Sequence, residues 1–182
     1  MTTPAQLTST ELQERLKAGS LAGNWTVDPA RSSVSLHSKS VWGLVKVKGS
    51  LGDVGGQGTV SPEGDLTGEI TVATAALDTK NAKRDKHLRS EEMLSSEKHP
   101  VITFAVASVS LADGAVTVAG TLTVRDQSRP LTFPATIALE GSTALLDATV
   151  QVDRSEFGIT WNQLGMASMI NDITIHAVFT KS

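Results

Sequence analysis

Apolar and polar residues alternate with a period close to two along most of this chain, which is typical of strands with one buried face. Turn sequences such as Gly55-Gly56, Pro62-Glu63-Gly64 and Glu140-Gly141 separate the alternating segments. The apolar positions of these segments are Val34, Leu36, Leu66, Ile70, Val72, Ile102, Phe104, Val106, Val116, Val118, Leu122, Val124, Leu131, Phe133, Ala135, Ile137, Leu139, Ala148, Val150, Val152, Ile173, Ile175, Ala177 and Phe179. Many short strands, each with one apolar face, predict an all-β barrel or sandwich.

A helical pattern precedes the strands, at residues 8–19. Thr8 and Glu11 have the spacing of a capping box, in which each side chain bonds to the other residue's backbone N–H. Leu12 and Leu16 lie one helical turn apart and therefore share one face. The pattern predicts a short N-terminal helix.

Two later segments depart from the alternation. Residues 81–93 are polar and compatible with a helix, and they lie between strands, so we expect a helical crossover at a barrel mouth. Residues 156–170 contain Trp161 and Met166 among glycines, and we expect a loop or short helix at the other opening.

The alternation changes phase between Leu36 and Val47. Leu36 and Trp42 have one parity, whereas Val45 and Val47 have the other. A one-residue shift of register is typical of a β-bulge, and Gly43 is the residue that tolerates one. The pattern predicts one long bent strand with Trp42 facing inward.

Composition fits a single globular domain. The chain has 182 residues, 40% hydrophobic and 19% charged, with a net charge of -3. Scattered basic residues and few aromatics disfavour nucleic acid as a partner. Residues 1–14 have neither a basic stretch nor an apolar core of a secretory signal, and no segment is long enough to cross a bilayer, so we expect a cytoplasmic protein. Residues 1–22 are predicted to form the helix and lead-in, and residues 23–182 the barrel.

Short sequence elements in a fixed order cover residues 25–179. They are Trp25-Thr26-Val27-Asp28-Pro29, Val47-Lys48-Gly49, Arg84-Asp85-Lys86-His87-Leu88-Arg89-Ser90, His99-Pro100-Val101-Ile102-Thr103-Phe104, Gly120-Thr121-Leu122-Thr123-Val124, Arg154-Ser155-Glu156-Phe157-Gly158 and Asn171-Asp172-Ile173. In this order they resemble the YceI-like family of lipocalin-like polyisoprenoid-binding proteins. The resemblance implies a closed antiparallel lipocalin-like β-barrel of about eight strands, and an amphiphilic ligand such as a polyisoprenoid.

The predicted interior has mostly small side chains. A barrel of this size encloses either packed side chains or one small ligand, and periodicity alone leaves both open. The resemblance favours a ligand. The residues predicted to line the pocket are Leu36, Trp42, Ile70, Val72, Phe104, Val106, Val118, Phe133, Val150, Trp161, Met166 and Ile175.

A long hydrocarbon chain suits such a pocket. At about 0.3 kcal/mol per heavy atom, about 20 carbons give binding near tens of micromolar, and about 40 approach nanomolar. We therefore expect a polyisoprenoid or fatty-acyl ligand. Arg84, His87 and Arg89 are predicted to form a polar mouth for its head group, whereas Asp85 more often caps a helix.

Motifs for catalysis and metal binding are missing from the sequence. There is no cysteine, no nucleophile elbow and no phosphate loop, and His37, His87, His99 and His176 have no ligand spacing. We expect neither a cofactor nor a metal, and a binding protein rather than an enzyme. Two alternatives remain: a lipid isomerase or hydrolase on the same barrel, and a filled-barrel interaction protein whose homodimer contact uses Leu12, Leu16 and an exposed strand edge.

Overall fold

In a computed structural model, which describes residues 5–113 and 115–182, ten antiparallel strands form one sheet that closes on itself. The strands are β1 (Gly23–Val27), β2 (Ser33–Ser40), β3 (Val45–Leu51), β4 (Gly55–Val60), β5 (Leu66–Ala73), β6 (Val101–Ala112), β7 (Ala115–Val124), β8 (Gln127–Glu140), β9 (Thr143–Asp153) and β10 (Ile170–Lys181). The helices are α1 (Ser9–Lys17) and α2 (Ala82–Leu88), with 3-10 turns at Thr74–Ala76, Arg154–Phe157 and Gln163–Gly165.

Strand β10 closes the barrel. One of its edges pairs with β9 along the whole strand, and the other pairs with both β1 and β2. β1 continues through β4 to the rest of the sheet, so the closed circuit contains eight strands: β1 and β4 to β10. β2 and β3 are an additional hairpin. The eight-strand closed antiparallel barrel predicted from the sequence is therefore confirmed.

The barrel has two different ends. One end, which we call the hairpin end, carries the β2–β3 turn, α2 and residues 154–169. The strand pairs at this end are Ile170 with Asp153 and Ala73 with Val101. The opposite end carries α1, because Leu16 contacts Gly64 in the β4–β5 turn. We call it the α1 end.

Helix α1 begins as the capping box predicts. The Thr8 hydroxyl accepts a hydrogen bond from the Glu11 N–H (3.2 Å), and the Glu11 carboxylate accepts one from the Thr8 N–H (2.9 Å). Leu12 is buried against the barrel opening. Residues 1–4 of the predicted lead-in lie outside the described residues.

The phase change near Trp42 is a chain reversal, so the predicted bulge is wrong. β2 ends at Ser40, the chain turns through residues 41–44, and β3 pairs back along β2 from Val45. Val41, Trp42 and Gly43 all have left-handed backbone angles, with φ of 53°, 48° and 88°. A reversal changes the parity of the side chains just as a bulge does, and it turns Trp42 outward.

The two irregular segments occupy the same end of the barrel, which corrects the expectation of opposite ends. The rings of His87, from α2, and Trp161, from residues 154–169, are in contact with centroids 4.2 Å apart. Within the described residues, no helix is both long and apolar enough to span a membrane.

Candidate functional site: an apolar cavity inside the barrel

The barrel interior contains a cavity of about 460 Å³. Alternation places the apolar side chains of the strands on its wall, where the rings of Phe104 and Phe133 pack against each other with centroids 5.3 Å apart. At the α1 end the wall is completed by Leu12, Leu16 and Trp25. At the hairpin end it reaches the α2 segment and Trp161.

Most of the residues that the sequence predicts for the pocket are on this wall. They are Leu36, Ile70, Val72, Phe104, Val106, Val118, Phe133, Val150, Trp161 and Ile175. Except for Trp161, which lies in the irregular segment 154–169, their positions follow from strand parity, which fixes the face of each side chain once the sheet closes.

Trp42 and Met166 are not on the wall, which corrects their predicted placement. Trp42 stands on the β2–β3 turn with 70% of its surface exposed. The backbone N–H of Trp42 donates to the Met166 carbonyl at 3.2 Å. The two residues therefore lie together at the hairpin end, outside the cavity wall.

Sequence reasoning missed two groups of wall residues. Leu12, Leu16 and Leu21 close the α1 end, and Leu88, Met93 and Leu94 close part of the hairpin end. The shared face of Leu12 and Leu16 was visible in the pattern, but periodicity does not say what a helix face covers. It covers the barrel interior.

His87 is the polar residue best placed to meet a ligand. It lies on the cavity wall, and its Nε2 is buried with no hydrogen-bond partner in the described part of the chain. A buried polar atom without a partner costs free energy, and a ligand oxygen in the cavity would remove that cost. Its ring is held edge-on against Trp161.

Arg84 reaches the wall from the same helix, but part of its guanidinium is already bound. Its Nε donates to the Thr79 hydroxyl (2.7 Å) and its Nη2 to the Thr79 carbonyl (2.9 Å). Buried Asp85 accepts from the Thr79 N–H at 3.0 Å and from the Thr79 hydroxyl. Asp85 thus fixes α2 to the loop segment that precedes it, and Arg84 shares that role.

Arg89 is absent from the cavity wall, which corrects its predicted place at the mouth. Its Nη2 donates to the Leu77 carbonyl, across the crossover. The motif's second arginine therefore holds the chain around α2 in place.

Arg154 is a wall residue with a structural role. Its guanidinium donates to the carbonyls of Ser168 (3.1 Å), Ile159 (3.0 Å) and Trp161 (2.9 Å). These bonds pin the segment that carries Trp161. Burial lowers the pKa of the Arg154 guanidinium, which still leaves it charged because the ordinary value is so high.

The remaining histidines lie away from the cavity. His176 contacts Asp147 on the neighbouring strand at 2.6 Å, and His99 lies 3.4 Å from Asp126. Across residues 5–113 and 115–182, no three His, Cys, Asp or Glu side chains come together as a metal site would require.

A family model described as a YceI-like domain matches residues 25–180. The chain belongs to the YceI-like family. The sequence resemblance is confirmed, and α1 precedes the matched region.

YceI-like relatives and structures agree with this assignment. A UPF0312 protein of Staphylococcus aureus strain USA300 is 30% identical over 149 residues, 77% of this chain and 84% of the relative. Protein YceI of Escherichia coli O157:H7 is 32% identical over 112 residues, 58% of each chain.

Two crystal structures share the YceI-like fold. BcnA of Burkholderia cenocepacia superimposes with a TM-score of 0.75 at 23% identity, covering 84% of this chain and 98% of BcnA. A polyisoprenoid-binding domain of Saccharophagus degradans superimposes with a TM-score of 0.69 at 12% identity, covering 87% and 98%.

Proposed function

We propose that this protein binds and carries one long-chain apolar or amphiphilic molecule, of the polyisoprenoid or fatty-acyl type, inside its barrel. The apolar cavity of about 460 Å³ is the observation that carries the proposal. Its volume falls within the range of about 300–1,000 Å³ usual for small-molecule sites. The Saccharophagus domain with the same fold is named for polyisoprenoid binding, which supports the ligand class.

The hydrocarbon chain would lie along the aliphatic wall, and its head would lie at the hairpin end. In this arrangement the buried His87 Nε2 bonds to a head-group oxygen, and Arg84 lies on the same cavity wall with its Nη1 not hydrogen-bonded within the described residues. Long hydrocarbon chains gain most of their affinity from apolar burial, at about 25 cal/mol per Å². A single polar contact then sets the orientation.

Binding, rather than catalysis, is the function that we propose. His87 is the wall residue with a buried nitrogen that makes no hydrogen bond in the described part of the chain. An acid–base pair would need a carboxylate bonded to this histidine, and none is bonded to that nitrogen within the described residues. The filled-barrel alternative is disfavoured by the volume of the cavity. A lipid recovered with unchanged mass after incubation would support carriage.

The test begins with protein purified without detergent. Mass spectrometry of its organic extract is expected to show a long-chain lipid, and titration of delipidated protein with geranylgeraniol or a C18 fatty acid is expected to raise its melting temperature. The titration should also change tryptophan emission, because Trp161 lines the cavity.

Two variants identify the source of that signal. Trp161→Phe is expected to remove the part of the emission change that arises at the hairpin end and to leave the part from Trp25, which also lines the cavity. Trp42→Phe is the matched control, because Trp42 lies outside the cavity. If no lipid co-purifies, and neither compound alters emission or melting, the proposed function is wrong.

A further inference from the structure

Exposed apolar side chains are concentrated at one end of the barrel. In the described ranges, the large apolar residues with exposed surfaces are Trp42, Leu44, Val45, Val101, Trp161, Leu164 and Ile170. Each lies in the β2–β3 turn, in residues 154–169 or at the first residue of β3, β6 or β10, so all lie at the hairpin end. Grouped exposure of this kind marks an interaction surface.

The protruding part of this surface is the β2–β3 turn. Leu44 is 83% exposed and Trp42 is 70% exposed, the two residues flanking Gly43. Two backbone hydrogen bonds hold the turn against the neighbouring segment. The backbone N–H of Trp42 donates to the Met166 carbonyl, and the backbone N–H of Ser168 donates to the Lys39 carbonyl (2.9 Å). The surface is therefore a defined structure built from two segments.

Positive charge surrounds the exposed turn. The hairpin, residues 33–51, contains Lys39, Lys46 and Lys48 and no Asp or Glu. All three lysines are exposed, and none forms a salt bridge within the described residues. This local excess stands out because the whole chain has a net charge of -3.

The α1 end differs in its exposed apolar surface. It presents none of the exposed large apolar side chains found among the described residues, and its exposed charges are mixed, with Glu11 and Glu14 beside Arg15 and Lys17 on α1. The hairpin end also carries exposed acidic residues, at Glu91, Glu92, Glu97, Asp126 and Glu156, so its positive charge is concentrated on the β2–β3 hairpin itself.

We propose that the hairpin end docks on an anionic lipid bilayer, with Trp42 and Leu44 entering the interfacial region and the hairpin lysines contacting acidic head groups. Tryptophan and leucine beside lysine are the combination that binds such interfaces. A protein partner would not require this pairing of an apolar turn with unpaired cations. Docking directs the end that carries His87 and Trp161 toward the lipid, and it goes beyond the proposed function.

Co-sedimentation of the full chain with vesicles tests the proposal. Vesicles of phosphatidylcholine with 30% phosphatidylglycerol are compared with phosphatidylcholine alone, at low salt and at 0.5 M salt. Wild-type protein is expected to bind the anionic vesicles, and salt is expected to weaken binding because it screens the lysines.

Three variants locate the docking surface. Lys46→Gln with Lys48→Gln is expected to weaken binding about twenty-five-fold, since each lysine near an anionic surface contributes about fivefold. Leu44→Asp is expected to weaken it at least tenfold. Arg15→Gln with Lys17→Gln removes the same charge at the α1 end and is expected to leave binding unchanged.

The outcomes separate this proposal from the ligand-binding proposal. Leu44 lies outside the cavity, so Leu44→Asp is expected to keep wild-type melting and wild-type affinity for geranylgeraniol. Equal vesicle binding by all variants, or a wild-type protein that ignores vesicles and instead self-associates through Leu44, would overturn membrane docking. Neither result would bear on whether a lipid occupies the barrel.

Discussion

The ring of Phe104 lies directly over Gly120 on the neighbouring strand. A Cβ atom built on Gly120 would be 2.7 Å from Cζ of Phe104 and would also collide with the Ala105 carbonyl oxygen. Gly120 pairs with Val106 on β6, and Phe104 lines the cavity. The absence of a side chain at position 120 thus leaves room for the Phe104 ring on the cavity wall.

Gly120→Ala is therefore expected to destabilise the protein. Overpacking against a backbone carbonyl, which cannot move aside alone, costs about 1–3 kcal/mol of unfolding free energy. Chemical denaturation measures the change. Thr121→Ala, at the exposed neighbouring position on β7, is the control and is expected to stay within about 0.5 kcal/mol of wild type. Equal effects of both substitutions would contradict the close approach.

Val118→Phe separates a cavity from a packed core. Val118 is 3% exposed to solvent and lines the cavity near Phe133. In a packed interior the larger ring would cost about 1–3 kcal/mol. In a cavity the ring fills space that a lipid would use, so we expect unchanged or slightly higher stability without ligand.

The same variant is expected to bind long-chain ligands at least tenfold more weakly, a loss of about 1.4 kcal/mol. Melting of the ligand-free protein and a lipid titration provide the two measurements. A strongly destabilised variant with unchanged binding would assign the site elsewhere and favour the filled barrel.

His87→Leu tests the polar contact at the hairpin end. The substitution removes the buried Nε2 that has no partner in the described residues, so the ligand-free protein should be as stable as wild type or more so. Affinity for a C18 fatty acid is expected to fall about tenfold, near 1.4 kcal/mol, whereas affinity for the matched C18 alkene should hold. Calorimetric titration of both ligands measures this selectivity.

His37→Leu is the matched control for that experiment. His37 lies on β2 outside the cavity wall, so its replacement should change affinity for neither ligand. An equal loss for the fatty acid and the alkene in His87→Leu would show that position 87 only shapes the wall.

The capping box of α1 is expected to respond to pH. Hydrogen bonds from the Thr8 N–H and then from the Thr8 hydroxyl lower the pKa of the Glu11 carboxyl from its ordinary 4.5. Because the folded pKa is the lower one, the cap stabilises the helix above pH of about 4.5 and is lost as pH falls through the folded value. Hydrogen exchange over residues 9–17 should show protection falling in that window, and Glu11→Gln should abolish this dependence.

Removal of the Thr8 side chain gives a second test of the same cap. Thr8→Ala is expected to cost about 1 kcal/mol of helix stability at neutral pH. Thr10→Ala, one residue before Glu11 in the first turn, has no capping bond to lose and should have a smaller effect. Equal protection in both variants would show that the cap does not hold α1 against the barrel.

Strand parity explains how much of the cavity could be predicted from the sequence. Val118, Phe133 and Val150 lie on regular strands, where alternation decides the face and closure decides which face is inside. Trp42 could not be placed in this way. A bulge and a tight reversal shift parity equally, and only the backbone angles of Val41 and Trp42 distinguish them.

Other features depend on contacts between distant segments. The pattern showed that Leu12 and Leu16 share a face, but whether that face covers a barrel or a second subunit is a tertiary question. Arg84 and Arg89 belong to one motif, yet only Arg84 reaches the cavity, because Arg89 is drawn to the Leu77 carbonyl. Periodicity contains no information about such bonds.

The short pairing between β1 and β10 has a consequence for how the chain folds. Thr26 and Thr180 are register partners although 154 residues separate them in sequence. Contacts between residues so far apart in sequence form late and slowly. The chain loses the conformational entropy of closing the long loop before the strand pairing compensates for that loss. During synthesis the early strands must therefore wait, with their apolar faces uncovered, until β10 emerges. This waiting period is when the nascent chain is most exposed to aggregation and most in need of a chaperone.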